Sequence, residues 1–251
     1  MNRIYFTCFF LSSFFCMKAQ SFIQKANIEF EVKTNFKKSM GNSSWDQMMQ
    51  DKLPAFKTVY FRFVFEDNHS NYQFDHWQDK EVIPEFMRKS EEESVWYMDH
   101  NESKLSMRKT LYGSIFNVQD SFPKITWKLS NENRVIAGYN CRKATGIIMD
   151  SVYIFAFYTD EIAISGGPCS VNGLPGMILG MTIPRMYASW IATKVNTSNL
   201  PVFEKKTLTS KNFYTLKTMG AALIKGTKDW GSSDDAESKK WIDQLTWNML
   251  L

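Results

Sequence analysis

The stretch "TVYFRFVFE", residues 58–66, alternates without a break. Val59, Phe61, Phe63 and Phe65 fall on one side of an extended chain, and Tyr60, Arg62 and Val64 on the other. A period of two is the signature of a β-strand, because successive side chains point to opposite faces of a sheet. With β-branched and aromatic residues on both faces, this segment reads as a central strand.

The same period recurs along most of the chain. Ile28, Phe30 and Val32 alternate with Asn27, Glu29 and Glu31, as a strand with one buried face would. Further strands are expected at 71–77, 94–100, 104–111, 113–119, 125–129, 135–149, 152–158, 177–183 and 188–195. Asn101-Glu102-Ser103, Asn131-Glu132-Asn133 and Asp150-Ser151 supply turn chemistry between them. Eight or more strands joined by short turns predict a mainly β protein, built on a large curved antiparallel sheet or a partly closed barrel. A short helix is expected near the N-terminus, where Ser43 and Ser44 precede Trp45-Asp46-Gln47, ending before Pro54. Residues 235–251 carry Trp241, Leu245 and Met249 at i, i+4, i+8, the apolar stripe of an amphipathic helix that docks on the sheet. Glu91-Glu92-Glu93 reads as a solvated loop.

Residues 1–20 read as a secretory signal. Asn2-Arg3 gives a positive start, an apolar run follows from Ile4 to Met17, and Ala19 is the small residue a signal peptidase wants. That run is too short to span a bilayer, and no later stretch is long and apolar enough to do so. The organisation expected is therefore a signal at 1–20, a β-rich domain at 21–200 and a C-terminal segment at 201–251. The balance of 30 basic against 26 acidic side chains leaves no basic stripe for nucleic acid. Once the signal with Cys8 and Cys16 is removed, Cys141 and Cys169 are the remaining thiols and form a candidate disulfide in an oxidising compartment.

"GPCSVNGLPGMILGM", residues 167–181, is the densest concentration of Gly and Pro. It lacks the Lys-Ser/Thr of a P-loop, the helix-opening G-x-G-x-x-G of a dinucleotide loop and the G-x-S-x-G of a nucleophile elbow. Pro175-Gly176 instead suits a type II turn, with Gly176 at the positive-φ position and Leu174 and Met177 entering the core. His69, His76 and His100 match no metal-ligand spacing, so neither a metal nor another cofactor is expected.

Gly173-Leu174-Pro175-Gly176-Met177-Ile178 resembles the signature hexapeptide of the GLPGLI (Porph_ging) family, with Met177 in place of its second Leu. Around it, Trp127-x-Leu129, Gly138-Tyr139-x-Cys141-x-Lys143-Ala144, Ala156-x-Tyr158-Thr159-x-Glu161-Ile162 and Gly167-Pro168 are similar to that family over about residues 120–195. The resemblance implies a β-rich protein exported to a Gram-negative envelope, periplasmic or outer-membrane-associated, with no established enzymatic activity. On that basis the expected function is non-catalytic binding of an apolar ligand or an outer-membrane partner, with no integral membrane segment after signal cleavage. The candidate contact residues are Gly173, Leu174, Pro175 and Gly176, with Tyr139, Lys143, Tyr158 and Glu161. Aromatics and methionines near the motif (Trp127, Tyr153, Trp190, Met149, Met177, Met181, Met186) could line an apolar pocket. The alternative is a peptidase-like hydrolase using Asp160 and Glu161, or Cys141.

Overall fold

The structure is a computed structural model that describes residues 23–39, 48, 51–111, 113–149, 151–198, 200, 203, 208–229 and 236–251. The expected signal segment and the helix expected between Ser43 and Pro54 fall largely outside the described residues. Eleven strands make one antiparallel sheet: β1 (Ala26–Asn35), β2 (Phe56–Glu66), β3 (His69–Trp77), β4 (Val95–Asp99), β5 (Lys104–Leu111), β6 (Ser114–Ser121), β7 (Thr126–Ile136), β8 (Tyr139–Ile148), β9 (Val152–Thr159), β10 (Met177–Ile183) and β11 (Ala188–Asn196). Their order is β6-β5-β4-β3-β2-β1-β11-β10-β9-β8-β7. Two meanders thus meet where β1 pairs with β11, and the sheet stays open.

The alternation in 58–66 does what its period requires. Val59, Phe61, Phe63 and Phe65 are buried, and β2 lies between β1 and β3. On the same face Phe61 stacks on Tyr72 at 4.9 Å between ring centroids, and Tyr72 leans on Trp96 at 5.2 Å. Each such side chain contributes about 1.5–3 kcal/mol by leaving water, so this apolar face carries the fold. The opposite face of β1–β3 is polar, with Tyr60 stacked on His76 at 4.4 Å and its hydroxyl donating to Glu31 at 3.2 Å.

Three local expectations need correction. The run 135–149 is not one strand. Ala137 and Gly138 both have positive φ, 49° and 87°, which turns the chain between β7 and β8. Asn131-Glu132-Asn133 lies inside β7, where the register shifts between Leu129 and Asn133. A bulge, not a turn, uses those polar residues. Glu91-Glu92-Glu93 is likewise no solvated loop. It closes a helix, α2 (Glu85–Glu92), laced by the i,i+4 pairs Glu85–Lys89 and Arg88–Glu92. A four-residue turn, α1 (Phe36–Ser39), precedes it, capped by Asn35 Oδ1 accepting the Lys38 N–H at 3.1 Å.

At the C-terminal end Tyr214 runs beside β6. Its carbonyl accepts from Gln119 N–H and its own N–H donates to Asn117 O, both at 2.8 Å. That edge of the sheet is therefore covered. Helix α3 (Leu216–Asp229) starts there on a reciprocal cap. Thr215 N–H donates to Thr218 Oγ1 at 2.8 Å, and Thr218 N–H to Thr215 Oγ1 at 3.1 Å. Helix α4 (Ala236–Leu250) follows, burying Leu245 and Met249 as expected, while Trp247 packs beneath the Arg185 guanidinium at 4.6 Å.

Candidate functional site

Residues 160–176 leave β9 and return at β10. The loop tucks against the apolar face, with residues 166–171 buried throughout. A Cβ on Gly166 would meet Phe63 of β2 at 3.2 Å and His100 at 3.4 Å. The indole N–H of Trp127 donates to Asn172 O at 2.9 Å, and Ile178 N–H to Gly166 O at 2.8 Å. The Gly-Leu-Pro-Gly segment ends this loop. Leu174 is buried, as expected, and Pro175 is exposed. Gly176 has positive φ, but at 144° and with its N–H donating to Leu174 O at 2.8 Å, so the turn is tighter than type II. A close approach dictates this. A Cβ on Gly176 would lie 2.1 Å from Thr159 O and 3.0 Å from Asp160 Cα.

Beyond that contact a cleft of ≈800 Å³ opens, lined by Ile23, Asn133, Tyr139, Asn140, Arg142, Asp160 and Glu161. It lies where the β7–β8 hairpin passes the end of β9, and one wall is the stretch from Ile23 into β1. Most of its lining residues are polar, although apolar atoms supply about half of the lining surface. Asn133, Asn140, Arg142, Asp160 and Glu161 are all exposed. Burial, and then the Glu161 carboxylate, push the Tyr139 phenol above its ordinary pKa, which keeps it a proton donor. Two of the candidate residues, Tyr139 and Glu161, thus come together here. Arg142, Asn133, Asn140 and Ile23 went unselected in sequence, since exposed polar residues at a hairpin carry no periodic signal.

The other candidates lie elsewhere. Lys143, one residue from Arg142, pairs with Glu132 at 2.5 Å and sits over the Phe155 ring at 5.8 Å. Tyr158 is a core residue. Met177, Met181, Met186 and Trp190 are likewise spent on the core, as Trp127 is on holding the loop. Cys141 and Cys169 are both free, which corrects the candidate disulfide. Cys141 is on β8 beside Ile136. Cys169, in the loop, faces Tyr72 of β3 and Lys109 of β5 across the sheet, many strands away. Burial pushes each thiol up to about 12, so neither is a nucleophile at neutral pH.

The same face holds a charge cluster that sequence reasoning missed. Glu91 of α2 accepts from Lys57 Nζ at 2.5 Å, and Lys109 lies with its ammonium 4.6 Å over the Trp96 ring. Burial raises the Glu91 carboxyl, but Lys57 and Lys109 outweigh it and hold the group below the usual carboxylate range. Glu92 accepts from Trp77 Nε1 at 2.9 Å and Glu93 from Thr110 at 2.6 Å, so all three carboxylates fasten α2 to the sheet. The Trp190 indole approaches the Tyr72 hydroxyl outside hydrogen-bond geometry, leaving that buried O–H unpartnered. His100 is no ordinary surface histidine. It bonds Ser70 at 2.8 Å, its edge meets Phe122, and burial lowers it to about 4, with Asp99 opposing and His69 reinforcing. Among the described residues no group of three or more His, Cys, Asp or Glu could hold a metal ion.

The fold is an open antiparallel β-module with a cleft at one end of the sheet. Residues 90–220, more than half of the chain and most of the cleft, match the model of the N-glycanase peptide, N-terminal domain family, PNGase F-II type. The chain belongs to that family. This overturns the resemblance to the GLPGLI family, which rested on one tight turn and scattered strand residues. Two solved structures of PNGF-II, in space groups P21 and C2, are similar to the chain at 15% and 16% identity. They cover 76% and 83% of it with TM-scores of 0.49 and 0.48. A conserved protein from Thermus thermophilus matches at 9% identity over 75% of this chain and 88% of its own, with a TM-score of 0.37. The chain spans 31% and 33% of the PNGF-II chains. No curated protein matches it. No helix among the described residues is long and apolar enough to cross a membrane.

Proposed function

We propose that the chain is an exported, non-catalytic recognition module whose β7–β9 cleft binds the sugar part of a glycoconjugate. The observation that carries this reading is the cleft lining. Asn133, Asn140, Arg142, Asp160 and Glu161 offer planar donors and acceptors, and Tyr139 adds an aromatic face with a phenolic donor. Such a set matches the vicinal hydroxyls and acetamido groups of a saccharide. Membership in a family named for an N-glycanase supports the sugar class. Export rests on the positive start and apolar run of residues 1–20. The hydrolase alternative has less behind it. Asp160 and Glu161 stand open to solvent, whereas a general acid acting on a glycoside or amide wants an apolar setting, and Cys141 is buried.

The test is calorimetric titration with a glycopeptide carrying an asparagine-linked oligosaccharide, against the same peptide without sugar. Binding of the glycopeptide alone, weakened at least tenfold by Arg142→Ala at unchanged thermal stability, is expected. Equal binding of both peptides, or of neither, sinks the reading. Release of free sugar on prolonged incubation would restore the hydrolase.

A further inference from the structure

The wall of the cleft formed by Ile23 is held unlike the rest of it. From Ala26 onward β1 is laddered on both sides, to β2 and to β11. Just before it, residues 23–25 make a single parallel bridge, Ile23 to Ile162, through one hydrogen bond from Ile23 N–H to Glu161 O at 3.3 Å. That length is at the weak end of the N–H···O range. Ile23 is half-buried against the core, Gln24 is exposed, and Lys25 reaches Glu66 at 3.5 Å with both side chains well solvated. Surface pairs of this kind contribute little. Three residues of backbone are thus ordered against one long hydrogen bond and one half-buried side chain, a nearly balanced exchange.

The bridge also falls at a telling place. Its acceptor is the backbone of Glu161, whose side chain lines the cleft, and Ile23 lines the cleft beside it. The other edge of the 160–162 segment is fixed, since Met177 N–H donates to Ile162 O at 3.2 Å. The 160–162 segment is thus anchored in the sheet, and residues 23–25 are held to it by that one bridge.

We propose that residues 23–25 act as a detachable strap: docked through Ile23, it completes the lining of the cleft around a bound saccharide, and released, it lets the ligand in and out. This rests on the cleft being the ligand site. Closure and binding then favour each other, and by linkage the factor is the same in both directions. A ligand that gains tenfold from closure shifts the strap tenfold toward the docked state.

Hydrogen exchange on the ligand-free full chain tests the strap without any ligand. The Ile23 amide should exchange at least a hundredfold faster than those of Ile28 and Phe30, and protection equal to theirs overturns the proposal. Glycopeptide titration tests the coupling. Ile23→Asp, whose carboxylate cannot rest on the buried Ile162, should weaken binding about tenfold while the melting temperature holds. Lys25→Glu serves as a second variant if Ile23→Asp fails to fold. Affinity within twofold of wild type overturns the coupling. Failure of wild type to bind the glycopeptide removes the ligand reading and the coupling with it. Fast exchange at Ile23 would then mark a loose segment only, so the two failures are told apart.

Discussion

Gly176→Ala is the most informative single change, because the structure assigns its cost to a contact and not to the turn alone. The new Cβ would stand 2.1 Å from Thr159 O and 2.8 Å from its carbonyl carbon, on a backbone with φ of 144°. An ordinary contact would require about 1 Å of separation between β10 and the end of β9. Neither neighbour is a flexible side chain that could swing away. Left-handed backbone costs about 1–3 kcal/mol for an L-residue. Forcing extra volume into packed surroundings adds about 1–3 kcal/mol. The sum, about 2–6 kcal/mol, is a large part of the 5–15 kcal/mol that holds a domain together. Gly113→Ala is the control, since Gly113 has φ of 80° with nothing within 4 Å of the added carbon. It should cost only about 1 kcal/mol. Urea unfolding followed by tryptophan fluorescence reads both. If the two variants lose the same amount, the close approach has no energetic weight and the account of the loop is wrong. Because the clash is with Thr159 and Asp160, surviving Gly176→Ala protein should also lose saccharide affinity. Gly113→Ala should keep it.

The buried groups give further expectations. His100 has its folded pKa lowered to about 4 from about 6.5, so its contribution is complete above pH 6.5 and is lost as pH falls to 4. Wild type should lose about 3 kcal/mol through that window relative to His100→Gln, and parallel pH profiles for the two would refute the assignment. Glu91→Ala should destabilise by about 3 kcal/mol, since it strands Lys57 and Lys109 beneath α2. Chemical denaturation checks this, and a loss under 1 kcal/mol would mean that the cluster is solvated. Both mature cysteines should titrate as free thiols in denatured, unreduced protein and stay inert to a thiol reagent in the native state at pH 8. A missing thiol would indicate a disulfide.

The strands with one buried face were the most legible, because a buried face writes a period of two into the sequence. The opening segment and the strand at 104–111 follow from that, and the stripe of α4 follows from the helical period in the same way. Elements fixed by long-range polar contacts left no such trace. Helix α2 is short and is secured by Lys57, Trp77, Lys109 and Thr110, contributed from distant strands. The cap of α3 is a Thr-Thr reciprocal pair in a stretch with no alternation. The cleft was half legible. Tyr139 and Glu161 were selected through a resemblance that proved wrong, while Arg142 and the two asparagines are exposed residues whose meaning depends on which segments the fold brings opposite them.

The strand order has a consequence for how the chain is made. Each meander is built from neighbours in sequence, but the seam between β1 and β11 joins residues such as Ile28 and Val195. During synthesis the first meander is finished once β6 has emerged, and β1 must then wait with one edge bare until β11 follows. At about 5–20 residues per second that wait lasts several seconds. Through it, the greasy face carrying Phe30, Phe61 and Phe63 lacks the 160–176 loop that later covers it. The late, distant seam makes half-sheets with a bare β1 edge the form of this chain most exposed to edge-to-edge aggregation.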